Sequence, residues 1–162
     1  MRVAIITSSD SGYRGEREDV SGKVIQELVT KAGYTVTHYS LLPDERELLA
    51  NEMKTIADTN KADLILTTGG TGLSPRDCMP EATKDIIERE VPGIPEAMRM
   101  YSLQITKRAM LSRAAAGVIG KTLIINMPGS PKAVDECLTY ILPEIHHGLE
   151  ILLGQTSNCA RK

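Results

Sequence analysis

Four loops of the 162-residue chain hold the side chains with which chemistry could be done. Ser8-Ser9-Asp10-Ser11-Gly12 runs on through Arg14, Gly15, Glu16 and Asp19, and Pro43-Asp44-Glu45 forms a second acidic turn. The third reads G-G-T-G-L-S-P-R-D from Gly69 to Asp77, and the fourth reads M-P-G-S-P-K from Met127 to Lys132. Glycine-rich backbone exposes N–H groups at close range, which is what a phosphate needs. Ser74, Arg76 and Asp77 follow Gly69, Gly70, Thr71 and Gly72 with a hydroxyl, a cation and a carboxylate. Taken alone, G-G-T-G also fits a tight strand-to-helix turn with no ligand. The repetition of a Gly- and Pro-rich loop at Gly129, Ser130 and Lys132 favours the functional reading, because the helix after it offers N–H groups to an anion. Asp10, Asp44 and Asp77 are carboxylates that could hold Mg²⁺. With no histidine, cysteine pair or Ser-His-Asp set in these loops, acyl transfer and redox chemistry are disfavoured. Phosphoryl or nucleotidyl transfer, which runs on positioning and charge neutralisation, suits the inventory better. Asp44 alone also reads as a helix cap.

These loops need elements that bring them together. Arg2 to Thr7 is uniformly apolar, as expected of a central strand. From Ser21, a candidate cap, to Ala32 the apolar residues recur at helical spacing, and Gly33 is a natural stop. Tyr34 to Leu42 alternates as a strand, and a helix follows from Arg46 to Thr59 with Leu48, Leu49, Met53 and Ile56 inward. Asp63 to Thr68 is a short β-branched strand, and Pro80 to Glu90 a helix with Pro near its first position. After Val91-Pro92-Gly93-Ile94-Pro95 comes a helix over Glu96 to Ile105. Ala114 to Ile119 and Thr122 to Asn126 flank Gly120-Lys121 as a two-residue hairpin, which would add one antiparallel strand. Gly117 to Thr122 is not a P-loop, since Ala115 stands where the first glycine is needed and strand formers follow. Leu138, Ile141, Ile145, Leu149 and Leu152 form one helical stripe, which Pro143 should kink or divide. Alternating strands and helices predict an α/β fold, a mostly parallel sheet with helices on both faces. Ligands of such sheets lie beyond the carboxyl ends of the strands, where these loops would converge.

Composition narrows the function. A net charge of -2 argues against a nucleic-acid surface, and five Tyr with no Phe or Trp remove most base-stacking platforms. Cys78, Cys137 and Cys159 are far apart and never paired as C-x-x-C, so a disulfide framework or zinc knuckle is not expected and a reducing cytoplasm is the simplest setting. Neither a signal-peptide core nor an apolar run of membrane-spanning length is present, so no membrane association is expected. His146 and His147 are adjacent and diverge by about 100° on a helix, unlike the i, i+4 pair a metal needs. Residues 1–154 are expected to form one domain and 155–162 a polar, loose tail.

Several of these stretches together carry a resemblance. T-T-G-G-T-G-L-S-P-R-D-C-M-P-E-A-T, then P-G-I-P-E-A-M-R, M-L-S-R-A-A-A-G-V and I-I-N-M-P-G-S-P-K-A, in this order and across essentially the whole chain, resemble the molybdenum-cofactor biosynthesis family of molybdopterin-binding proteins. Within it, the similarity is greatest to the molybdopterin adenylyltransferases. The resemblance implies a three-layer α/β/α sandwich, commonly a homotrimer, that uses Mg²⁺ to join ATP and molybdopterin into adenylyl-molybdopterin with release of pyrophosphate. It implies catalytic, metal-holding roles for Asp77 and Asp44, and a nucleotide and phosphate loop at Gly69, Gly70, Thr71 and Gly72, with Ser74 and Arg76 beside it. It also implies a pterin pocket lined by Ser112, Arg113, Gly129, Ser130 and Lys132, and Ser8 and Asp10 of the first loop are expected on the same side. Cys78 and Met79 depart from the valine and threonine expected after the aspartate. Hand-over of product to a molybdenum insertase is a further implied partnership. The alternatives are a nucleotide pyrophosphatase and a non-catalytic molybdopterin carrier.

Overall fold

The computed structural model describes residues 1–155, so the expected tail from position 156 onward, with Cys159, lies outside the described residues. Six strands form one sheet: β1 (Arg2–Ser8), β2 (Thr35–Leu42), β3 (Leu64–Thr68), β4 (Arg89–Glu90), β5 (Ala116–Ile119) and β6 (Thr122–Met127), in the spatial order β2-β1-β3-β6-β5-β4. The pairs β2-β1, β1-β3 and β3-β6 are parallel, while β5 runs antiparallel to both β6 and β4. The Gly120-Lys121 hairpin produces that reversal, with Gly120 at φ 54°, where a side chain is disfavoured.

Strand alternation divides the core in two. Val3, Ile5, Leu64 and Leu66 face α2 (Val20–Lys31), α5 (Gly93–Leu103) and α6 (Pro131–Leu152), whose Ile25, Val29, Met98, Leu138, Ile141, Ile145 and Leu149 cover them. Ala4, Ile6, Ile65 and Ile124 face Leu49, Met53 and Ile56 of α3 (Arg46–Asp58) and Met79 and Ala82 of α4 (Met79–Lys84). This is the α/β/α sandwich expected. Each fully buried Leu or Ile contributes about 1.5–3 kcal/mol through removal from water.

Four local expectations need correction. Asp19, not Ser21, caps α2 by accepting the Gly22 N–H at 2.9 Å, and a short helix α1 (Asp10–Tyr13) occupies the first loop, capped by Ser9. Leu48 points outward and is 40% exposed. The helix expected over Pro80 to Glu90 stops at Lys84 because the chain beyond it joins the sheet: Glu88 N–H donates to Val118 O at 2.8 Å and Val91 N–H to Ala116 O at 2.8 Å. Of the kink or division expected at Pro143, division does not occur, since α6 runs unbroken from Pro131 to Leu152. Pro143 lies on the exposed side, as does Thr139, whose carbonyl loses its helical partner and can turn to water.

Inside the sheet, Asn126 is fully buried yet satisfied. Its amide nitrogen donates to Thr67 Oγ1 (3.1 Å) on β3 and Thr83 Oγ1 (2.8 Å) on α4, and its Oδ1 accepts from Ala115 N–H (3.1 Å). Such a network costs little only when every member is paired.

Candidate functional site

The carboxyl ends of β1, β2, β3 and β6 bring the four loops to one rim. Gly69, at φ 90°, sits against the end of β1: a β-carbon there would stand 2.2 Å from Ser8 O, so only glycine fits. Gly129 of the fourth loop backs onto the same residue, its own β-carbon position 3.5 Å from Gly69 Cα. Thr68 Oγ1 donates to Pro128 O at 2.7 Å and Ser21 Oγ to Gly129 O at 2.8 Å, fastening that loop to β3 and α2.

Asp44 is no helix cap. Glu45 occupies the cap position of α3 without a side-chain bond. The Asp44 carboxylate instead accepts from Ser8 Oγ (2.5 Å) and Asp10 N–H (3.0 Å), while Asp10 Oδ1 accepts the Asp44 N–H (3.0 Å). Each aspartate thus binds the other's backbone, and the first two loops are tied reciprocally. Asp10 also takes a bidentate pair from Arg76 at 2.9 and 3.0 Å, reaching across from the third loop. The Arg76 guanidinium, and after it the Asp44 N–H, holds the Asp10 carboxyl below the usual carboxylate range.

Asp44 and Asp77 flank the glycine quartet. A β-carbon at Gly70 would lie 3.4 Å from Asp44 Oδ1, and one at Gly72 would lie 2.8 Å from Asp77 Oδ2. Asp77 Oδ2 accepts the Ser74 N–H at 2.9 Å, and the Ser74 hydroxyl turns toward Arg76 N–H at 3.4 Å. Thr71 is buried, and its carbonyl accepts the Arg113 N–H at 3.0 Å.

Two hollows open on the rim. One of about 440 Å³ is lined by Ser8, Ser9, Gly69, Gly129 and Ser130, with Asp19 and Ser21 at the start of α2. The other, about 400 Å³, is lined by Asp44, Arg46, Pro75, Arg76 and Cys78. Ser8 lines the first and hydrogen-bonds Asp44 in the second, so a single serine joins them. A larger hollow of about 810 Å³ between α5 and α6, among Val91, Ile94, Tyr140, Ile145 and Ile151, is mostly apolar and involves none of these loops. Size does not locate the chemistry here; converging polar groups do.

The remaining expected residues divide. Lys132 is 83% exposed in its side chain, with Glu136 at 3.9 Å, and Ser130 leaves the N-terminus of α6 without a side-chain cap. Both are free to meet a ligand. Ser112 and Arg113 lie at the rim through Arg113, but the Arg113 guanidinium faces protein groups: Gly72 O (2.6 Å), Asp77 O (2.8 Å) and the Glu81 carboxylate. Arg14, a candidate cation, is paired with Glu16 at 2.8 Å. Burial pushes the Cys78 thiol up, away from nucleophilic use. His146 accepts or donates to the Tyr34 hydroxyl at 2.9 Å and reaches Glu150 at 3.7 Å, as does His147. Among the described residues no three His, Cys, Asp or Glu side chains form a ready metal site. Sequence reasoning missed Glu81 as a partner of Arg113, although it stands in the M-P-E-A-T stretch, and Ser21, whose hydroxyl serves the fourth loop rather than the helix end.

Comparison with known proteins shows the family. Residues 4–147 match the family model described as a probable molybdopterin binding domain. A Helicobacter pylori protein named molybdopterin adenylyltransferase is 40% identical over 158 residues, covering 95% of this chain and 89% of that protein. Molybdenum cofactor biosynthesis protein B of Bacillus anthracis is 39% identical over 150 residues, covering 91% and 88%. The crystal structure of a molybdopterin biosynthesis enzyme, MoaB, of Thermus thermophilus superposes with a TM-score of 0.89 at 48% identity, covering 94% of this chain and 96% of that one. The family model spans residues 4–147, and the sequence and fold likeness runs along nearly the whole length, so the chain belongs to the molybdenum-cofactor biosynthesis family of molybdopterin-binding domains.

Proposed function

We propose that the protein is a molybdopterin adenylyltransferase. The observation that carries this reading is the placement of Asp44 beside Gly70 and Asp77 beside Gly72, next to a second glycine loop whose Ser130 makes no side-chain cap and whose Lys132 stands exposed. One loop is suited to the triphosphate, and the other to the phosphate of the pterin. A phosphate oxygen of molybdopterin forms a new bond to the α-phosphorus of ATP, and the bond from that phosphorus to the bridging oxygen breaks as pyrophosphate leaves. The nucleophile is already anionic, so no general base is required. The loops hold the two anions close and in line, and Lys132 and the N-terminus of α6 offset their mutual repulsion.

The donor set fits Mg²⁺, which is commonly held by one or two carboxylates together with substrate phosphates rather than by a complete protein cage. Asp77 and Asp44 would hold it. When bound, the ion offsets charge developing on the departing pyrophosphate.

Two finer readings accompany this. Met100, Leu103, Ile105, Met110 and Leu111 are exposed on α5 and the turn after it, which supports self-association as a homotrimer. A product of this reactivity suits direct hand-over to a molybdenum insertase. The deciding experiment incubates the protein with molybdopterin, Mg²⁺ and ATP labelled at the α-phosphate. A labelled pterin product supports the proposal; labelled AMP formed without pterin would favour a pyrophosphatase, and pterin binding without turnover a carrier.

A further inference from the structure

Arg113 is built as a fastener. Its backbone N–H donates to Thr71 O at 3.0 Å, its Nε to Gly72 O at 2.6 Å, its Nη2 to Asp77 O at 2.8 Å and its Nη1 to the Glu81 carboxylate. Gly72 and Asp77 bracket the second half of the third loop, so one planar guanidinium closes Leu73–Arg76 into a ring. Within that ring Ser74 N–H reaches the Asp77 carboxylate at 2.9 Å. Asp77 is therefore held twice, at its carbonyl from outside and at its carboxylate from within. A second arginine steadies the first: Arg99 Nη1 donates to Ala114 O at 3.2 Å and, more weakly, to Ser112 O at 3.4 Å, the carbonyls on either side of Arg113. Only a fixed fork of donors can span two carbonyls and a carboxylate at once; a lysine ammonium is a single point.

We infer that Arg113 is a positioning residue that places the Asp77 carboxylate, with Glu81 orienting Arg113 and Arg99 holding the backbone that bears it. The inference rests on the reading that Asp77 serves adenylyl transfer. It assigns Arg113 to the loop rather than to the pterin, contrary to the role that the L-S-R resemblance implies.

The test uses the full chain and three variants, Arg113→Lys, Glu81→Gln and Arg99→Lys. Hydrogen exchange of the amides over residues 72–77 is measured without ligand, and kcat and KM are measured with molybdopterin and Mg²⁺-ATP. Arg113→Lys should speed exchange in this segment about tenfold or more and lower kcat about 100-fold, as expected when a reacting group is displaced by about 1 Å. KM for molybdopterin should move less than about twofold, since no ligand contact is lost. Glu81→Gln should repeat the pattern at about a tenth of the kcat effect, and Arg99→Lys more weakly still. Exchange unchanged in Arg113→Lys, with KM for molybdopterin raised tenfold and kcat kept, would overturn the inference and make Arg113 a substrate contact. Should Arg113→Lys fail to fold, Glu81→Gln carries the same contrast. A parent protein without adenylyl transfer would sink the proposed function, and the exchange measurement alone would then decide whether Arg113 is the fastener.

Discussion

The two glycine loops of the rim are built on opposite plans. Gly69–Asp77 is held by side chains from three other parts of the chain: Asp10 takes Arg76, Arg113 spans Gly72 and Asp77, and Glu81 backs Arg113. In Met127–Lys132 the turn beyond the strand accepts side-chain hydrogen bonds only at its carbonyls, from Thr68 and Ser21, and its own Ser130 and Lys132 side chains are left outward. The first loop is preorganised and the second is accommodating. Fixed donors suit the place where charge changes during a reaction, while exposed ones suit a ligand that must arrive and leave.

The sharpest way to break this contrast is Asp77→Asn. It should leave the fold intact and lower adenylyl transfer by two orders of magnitude or more, on the scale of losing one preorganised group that acts on developing charge. Parent-rate turnover in a product assay would remove the distinction between the loops. Next comes Gly69→Ala, which must push the loop away from Ser8 O or abandon φ 90°. We expect destabilisation by about 1–3 kcal/mol in denaturant melts, with loss of ATP binding. Asn126→Ala strips partners from Thr67, Thr83 and Ala115 N–H together, and should cost about 1–3 kcal/mol and loosen both loops in hydrogen exchange. On the accommodating side, Lys132→Ala should raise KM for molybdopterin a few-fold with kcat nearly unchanged, an effect that fades with added salt. Smallest is a pH effect on the Asp10–Arg76 tie. Asp10's folded pKa is depressed, so the tie is complete above the ordinary aspartate range and is lost as pH falls through the lower folded value. Exchange of residues 72–77 should therefore stay slow through mild acid and quicken only below it. An onset already at the ordinary aspartate pKa would show that the tie is not made in solution.

Much of the frame was legible because it is local. The strand ending at Thr68 with glycines after it, the Gly120-Lys121 hairpin and the stripe on α6 each follow from spacing within about fifteen residues. What escaped depends on partners far along the chain. Glu88–Glu90 reads as helix until β5, about 30 residues later, offers a strand edge. Asp44 reads as a cap until Ser8 and Asp10, more than 30 positions earlier, supply better donors. Ser21 stands two residues from the residue that caps α2, and its hydroxyl answers Gly129, 108 positions later in the chain. The Arg113 guanidinium lies on the carbonyls of Gly72 and Asp77, and nothing near it in sequence tells whether a guanidinium faces a ligand or a carbonyl.

Asn126 stands one residue before the accommodating loop, yet its amide grips the strand that launches the braced loop and the helix that receives the chain after it. Both edges of the cleft are consequently stitched to one hidden knot in the sheet. A ligand that drew the two edges apart would have to strain these hydrogen bonds, so outer side chains turn at less cost than the backbone beneath them.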